Sequence, residues 1–107
     1  MFDTIHPVTL SKKAAAEVRK IMQTKNIPAG YGLRVGIKGG GCLGASLIIG
    51  FDTPKSTDLS YEVESITVCV DKRHVMYVVG KEVDFYEGDD ARGFMFIEKG
   101  SGHLAEH

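Results

Sequence analysis

Leu33-Arg34-Val35-Gly36-Ile37-Lys38-Gly39-Gly40-Gly41-Cys42-Leu43-Gly44-Ala45-Ser46-Leu47-Ile48-Ile49-Gly50-Phe51 is the stretch from which the fold is read. Residues 39–44 hold four glycines and one of the two cysteines of the chain. Both flanks are β-branched and apolar, and both read as strands. The first, near 31–38, should place Leu33, Val35 and Ile37 on one face and Arg34 and Lys38 on the other. The second should cover about 45–51. Two strands joined by a glycine loop therefore carry a thiol at their shared end. Glycine reaches positive φ and lets other groups approach the backbone closely, so the chemistry of the chain is expected at Cys42, with the backbone at Gly41 and Gly44 beside it.

Outward from that loop the chain alternates short apolar runs with turn residues. Residues 1–10 read as extended, with Pro7 resisting helix. Ser11 is suited to cap a helix over about 12–25. Ala14, Ala15, Val18, Ile21 and Met22 share its apolar face, and Lys12, Arg19, Gln23 and Lys25 face water. Asn26-Ile27-Pro28-Ala29-Gly30 ends it. Beyond the second strand, residues 52–58 form a polar turn, and 61–70 hold one or two short strands. Asp71 can cap a short helix over about 72–79, stopped by Gly80. Residues 82–86 and 94–97 are further strands around an acidic turn containing Glu87, Asp89 and Asp90. The pattern is α+β: about six strands, mostly antiparallel by their short connections, with one long and one short helix. One domain is expected over 1–107, with its core in about 8–97 and a mobile tail at 98–107.

The 107 residues carry a formal net charge of −1, which points to neither nucleic acid nor an anionic membrane surface. No run approaches the ~20 apolar residues of a membrane span. Residues 1–7 lack the basic-then-apolar order of a secretory signal. Two cysteines 27 positions apart form neither a CxxC pair nor a disulfide framework, so a reducing, cytoplasmic setting is expected.

Gly39-Gly40-Gly41-Cys42-Leu43-Gly44 formally fits a dinucleotide fingerprint, but that reading requires a helix directly afterwards. Here a β-prone segment follows. A free structural cysteine is normally buried, whereas a glycine loop lies at the surface. Cys42 is accordingly read as a metal or sulfur ligand or a redox thiol rather than as filler. Backbone N–H groups around it can stabilise a thiolate or the sulfides of a cluster. Cys69, among β-branched neighbours, reads as a buried small hydrophobe. His74 reads as a surface or capping residue, and His103 and His107 as tail residues able to reach Cys42 as accessory ligands. No catalytic triad, P-loop or basic aromatic stripe is present.

Residues 32–44 resemble the signature of the A-type iron–sulfur carriers, the HesB-like or IscA-like family. Leu10-Ser11-Lys12-Lys13-Ala14-Ala15 is similar to the family's helix start, and Val68-Cys69-Val70-Asp71 to a V-x-V-D strand. Gly80-Lys81-Glu82-Val83-Asp84-Phe85 and Gly93-Phe94-Met95-Phe96 resemble its final two strands. The likeness spans about residues 8–97. It implies a HesB-like fold of two small mixed sheets, sandwich-like, with flanking helices. It further implies a dimer or tetramer that binds iron or an iron–sulfur cluster and delivers it to apo-proteins. Such a protein is not an enzyme; its partners are iron–sulfur assembly proteins and apo-protein clients. Cys42 matches the first of the family's three ligand cysteines. Leu43 stands where the family has a small residue, and the C-terminal Cys-Gly-Cys pair has no counterpart, since no cysteine follows Cys69. A 2Fe–2S cluster usually takes four protein thiolates. Cys42 offers one per copy and two per symmetric dimer, so histidine, a small thiol or a partner must complete the set. Two alternatives stand beside the carrier: an interaction module of this fold without cluster chemistry, and a thiol-reactive protein acting through Cys42.

Overall fold

The structure, a computed structural model, describes residues 6–39 and 45–98. In chain order the elements are β1 (Val8–Leu10), α1 (Lys12–Thr24), β2 (Gly32–Gly39), β3 (Ala45–Asp52), β4 (Asp58–Val63) and β5 (Ile66–Asp71). A 3-10 turn (Lys72–His74), α2 (Val75–Val78), β6 (Lys81–Glu87) and β7 (Arg92–Glu98) follow. The strands make two sheets, one of order β1-β6-β7 and one of order β3-β2-β5-β4. Both are mixed: β1 runs parallel to β6 and β2 parallel to β5, while β2–β3, β4–β5 and β6–β7 are antiparallel. The α+β expectation of two small mixed sheets with a longer and a shorter helix holds.

Each chain segment forms its element for a local reason. Ser11 Oγ accepts from the Ala14 amide at 3.0 Å, capping α1, and donates to Asp84 Oδ1 at 2.7 Å. One hydroxyl thus both starts the helix and ties it to β6. The helix stops at Thr24 because Asn26 turns to φ 54°. Its buried residues are Ala14, Ala15 and Val18, as the periodicity predicts. The helix predicted over 72–79 is shorter. Asp71 accepts from the Arg73 amide and opens a 3-10 turn, a single α-turn follows, and Val79 is already extended before Gly80 at φ 83°. Glu98, expected as the first residue of a mobile tail, is instead the last residue of β7; the rest of that expectation, at 99–107, lies outside the described residues.

One core fills the space between the sheets and α1. It contains Val8 and Leu10 of β1, Leu33 and Val35 of β2, Val68 and Val70 of β5, and Val83 and Phe85 of β6. Tyr61 of β4 closes the two sheets on each other. Its hydroxyl donates to the Val8 carbonyl at 2.6 Å and accepts from the Val8 amide at 3.1 Å, and His6 stacks on its ring at 4.5 Å. Burial pushes the phenol pKa up to about 12, so the hydroxyl keeps its proton. Tyr61→Phe leaves a backbone amide and carbonyl of β1 without this partner. It is expected to lower stability by about 1–3 kcal/mol, measured by urea unfolding.

The β4–β5 hairpin turns on Glu64 and Ser65, both at positive φ (52° and 66°). This is the two-residue turn whose twist matches antiparallel strands, here without the Asn-Gly that normally marks it. The absence of that mark leaves open from the sequence whether 61–70 is one strand or two. Arg19 of α1 donates to the Glu64 carbonyl at 2.7 Å and braces the turn. Ser65→Gly relieves the left-handed backbone and is expected to stabilise by about 0.5–1 kcal/mol, read as a raised thermal midpoint.

Candidate functional site

The candidate residues Gly41, Cys42 and Gly44 lie outside the described residues. The frame that carries them is described. β2 and β3 pair without interruption from Gly32↔Asp52 to Lys38↔Ser46 and Gly39↔Ala45. Residues 40–44 join these two paired ends. The expected hairpin is therefore present up to the last residue on each side of the glycine loop.

The two faces of β2 differ as its alternation predicts. Leu33 and Val35 are buried and Ile37 packs against the core, while Lys38 is exposed and Arg34 points to the opposite face. On that opposite face a polar network holds the frame together. Arg34 meets Asp58 through two parallel bonds of 2.7 Å, Nη1 to Oδ1 and Nη2 to Oδ2. It also reaches Asp52 Oδ2 at 3.3 Å and the Thr53 carbonyl at 3.2 Å. The Asp58 side chain is 1% exposed and accepts in addition from the Lys55 amide at 2.8 Å. Arg34 thus binds β2 to the 53–58 turn and the start of β4, with β5 between them. The hydrogen bonds from Arg34 hold the Asp58 carboxyl below the usual carboxylate range against the opposing effect of burial. The guanidinium is in turn held more firmly protonated by Asp58.

Residues 52–58, expected as a polar turn, supply in Asp58 a buried carboxylate to which the sequence pattern assigns no role. The available signal is Arg34 itself, a cation in the middle of a strand whose neighbours Leu33 and Val35 are apolar, which needs an anion if its face is covered.

Cys69 is beside Arg34 in the β2–β5 register and beside Ser60 in the β4–β5 register. It is fully buried and its thiol is free of any disulfide. Burial pushes its pKa up, which the hydrogen bond to Ser60 and the charge of Arg34 only partly offset. It is the inert buried small residue expected.

His74 is half-buried and makes no capping bond; Asp71 is the cap of this turn. The capping reading of His74 is therefore corrected. Its ring lies over Gly36 of β2, where Nδ1 is 3.2 Å from the position a Cβ would take. A glycine at 36 lets the 72–78 segment seat on the strand that leads to the loop. Among the described residues no group of three or more His, Cys, Asp or Glu side chains is placed to hold a metal ion. His103 and His107 lie outside the described residues. No helix among the described residues is long and apolar enough to cross a membrane.

No family model matches the chain. Two curated proteins named iron-binding protein IscA, from Enterobacter sp. (strain 638) and Escherichia coli, are each 32% identical to it over 90 residues, covering 83% of this chain and 82% of the relative. Among solved structures, Escherichia coli SufA, described as involved in biosynthesis of iron–sulfur clusters, superposes with a TM-score of 0.72 at 26% identity, over 91% of this chain and 84% of that one. An IscA crystal structure with a 2Fe–2S cluster superposes with a TM-score of 0.71 at 23% identity, over 85% of this chain and 84% of that one, and attests the fold.

Proposed function

Because the chain belongs to the IscA/SufA family of A-type iron–sulfur carriers, we propose that it is a non-enzymatic iron–sulfur assembly protein that holds iron or a cluster transiently through Cys42 and passes it to apo-proteins. The observation that carries this reading is the 32% identity over 90 residues to proteins named for iron binding, across the strands that frame the glycine loop. The likeness to SufA supports it. Cys42 is the thiolate ligand, and the backbone at Gly41 and Gly44 supplies N–H groups beside the sulfur. Each copy is a single domain that presents its thiol to the cargo in a cytoplasmic setting.

The second cysteine takes no part, because its thiol is buried and hard to ionise. One copy therefore supplies one thiolate, and copies of the chain associate to supply two. The remaining positions of a cluster fall to histidine, a small thiol or the recipient protein. Incomplete ligation suits release to a client better than storage.

The test is anaerobic reconstitution with iron and sulfide, comparing absorption spectra and bound iron in wild type, Cys42→Ser and Cys69→Ser. Iron and cluster absorption are expected in wild type, to be lost in Cys42→Ser and kept in Cys69→Ser. Retention at the wild-type level in Cys42→Ser overturns the reading. The second reading, an interaction module that binds an assembly protein without holding iron, is favoured by the lack of any cysteine after Cys69. It predicts no iron in any of the three proteins.

A further inference from the structure

Among the described residues, β3 is an edge strand bonded on one side only. It pairs with β2 along its whole length, from Ala45 to Asp52, and no backbone bond crosses its other side. In an antiparallel pair every second residue turns its N–H and C=O toward the partner strand, and the residues between turn theirs outward. β3 therefore presents about four amides and four carbonyls along its open side. Folded proteins blunt such edges by shortness, charge, proline or a bulge. The other edge strands follow that rule: β1 has three residues, β4 carries Asp58 and Glu62, and β7 has Arg92 at one end and Glu98 at the other. β3 does not. Residues 45–51 hold no charge and no proline, and their register with β2 contains no bulge. Leu47, Ile49 and Phe51 pack toward the core from one face, and Ile48 on the other is 44% exposed.

A second copy does not suit this edge. Two β3 strands paired along their length about a two-fold axis run antiparallel, which sets their glycine loops at opposite ends, roughly 25 Å apart. That arrangement separates the Cys42 thiolates that association must bring together. The charge beside the edge indicates what does suit it. Lys38 of β2 is exposed, lies opposite Ser46 on the same face as Ile48, and makes no ion pair among the described residues. A strand added beyond β3 would run two strand spacings from Lys38, roughly 10 Å, with only the short side chain of Ser46 between them. An acidic residue passing Ser46 therefore meets the lysine.

We propose that β3 is the docking edge for an extended segment of the recipient protein, apolar where it runs beside Leu47, Ile48 and Ile49 and acidic where it passes Ser46. The segment adds a fifth strand to the four-stranded sheet. Main-chain bonds to β3 supply the affinity, and Ile48 and Lys38 select the side chains. This inference rests on the reading that cargo is passed on from Cys42, and it assigns the place where the recipient binds. Ala45 follows the glycine loop directly, so the acidic end of the segment lies beside that loop.

Amide hydrogen exchange of the metal-free full chain in a Cys42→Ser background reads this edge apart from iron binding, so its failure leaves the reconstitution result standing. The probe is a short capped peptide of alternating valine and threonine that ends in glutamates. In the free chain every second amide of β3 should exchange far faster than its neighbours. Saturating peptide should slow those outward amides by about tenfold or more and leave the β4 edge unchanged. Ile48→Glu should weaken peptide binding by about tenfold while circular dichroism stays native. Lys38→Glu should reverse the preference, so that a peptide ending in lysines binds more tightly than the one ending in glutamates. Absence of binding overturns the proposal, as does binding that leaves the β3 amides unchanged or is indifferent to both substitutions. Outward amides already slow in the free chain overturn it as well, and protection that grows with protein concentration identifies a second copy as the occupant.

Discussion

Asp58→Ala is expected to remove about 3–5 kcal/mol of folding stability, measured by urea unfolding at neutral pH. The carboxylate is 1% exposed and takes both forks of Arg34 at 2.7 Å together with the Lys55 amide. Removing it leaves a half-covered guanidinium facing a void and a turn amide without its acceptor. Domains of this size are stable by only about 5–15 kcal/mol, so a large share of the total rests on this residue. The pH dependence follows from the same contact. Arg34 lowers the folded-state pKa of Asp58 below its unfolded value of about 3.9. The stability from the pair is fully present above that value and is lost as pH falls through the folded one. The wild-type melting temperature should therefore decline below about pH 4, and more steeply than that of Asp58→Ala. Asp52, lowered first by its bond from Lys55, and Asp71, lowered by Arg73, account for decline that remains in the variant. Equal slopes in the two proteins would show that the pair is not what acid breaks.

Gly32→Ala is expected to cost about 3 kcal/mol or more, at the upper end of overpacking effects. A Cβ on Gly32 would sit 2.7 Å from the Thr67 carbonyl oxygen and 3.0 Å from Thr67 Cγ2. The obstacle is the backbone of β5, which is paired with β2 through Leu33↔Val68, and it cannot swing aside as a side-chain tip can. Either the β2–β5 pairing opens at its start or the whole strand shifts. Gly50→Ala, on neighbouring β3, meets nothing within 4 Å and is the control. Gly36→Ala falls between them, because only the His74 ring, 3.2 Å away, must move. Thermal unfolding of the three variants should rank Gly32 well below Gly36, with Gly50 near wild type. Equal losses at 32 and 50 would mean that strand propensity, not the approach of β5, decides the effect.

These two residues show where sequence reading stops. Local signals were sufficient for most elements. The alternation of Leu33, Val35 and Ile37, the cap at Ser11, the apolar face of Ala14, Ala15 and Val18, and the stop at Gly80 are each set by neighbours within a few positions. Cys69 was legible as buried for the same reason: a small residue amid Val68 and Val70 has an apolar strand as its surroundings. The glycine loop with Cys42 stands out in the sequence because few other demands put four glycines around a thiol; the paired hairpin ends on either side are in place, and the loop itself lies outside the described residues.

What the sequence alone determined, then, is which segments become strands and helices, which face of each is apolar, and where the candidate thiol stands in the chain. Only the tertiary structure decided that β2 runs parallel to β5, which places Arg34 beside Cys69 and Gly32 against Thr67. It alone decided that Asp58 is buried, that Tyr61 bonds the backbone of β1, and that His74 lies on Gly36 rather than capping its own turn. The physical reason is the same throughout. Arg34 and Asp58 are 24 positions apart, and Tyr61 and Val8 are 53 apart. Contacts of that kind depend on how two sheets pack, and neither periodicity nor turn chemistry in one segment carries information about the segment it will face.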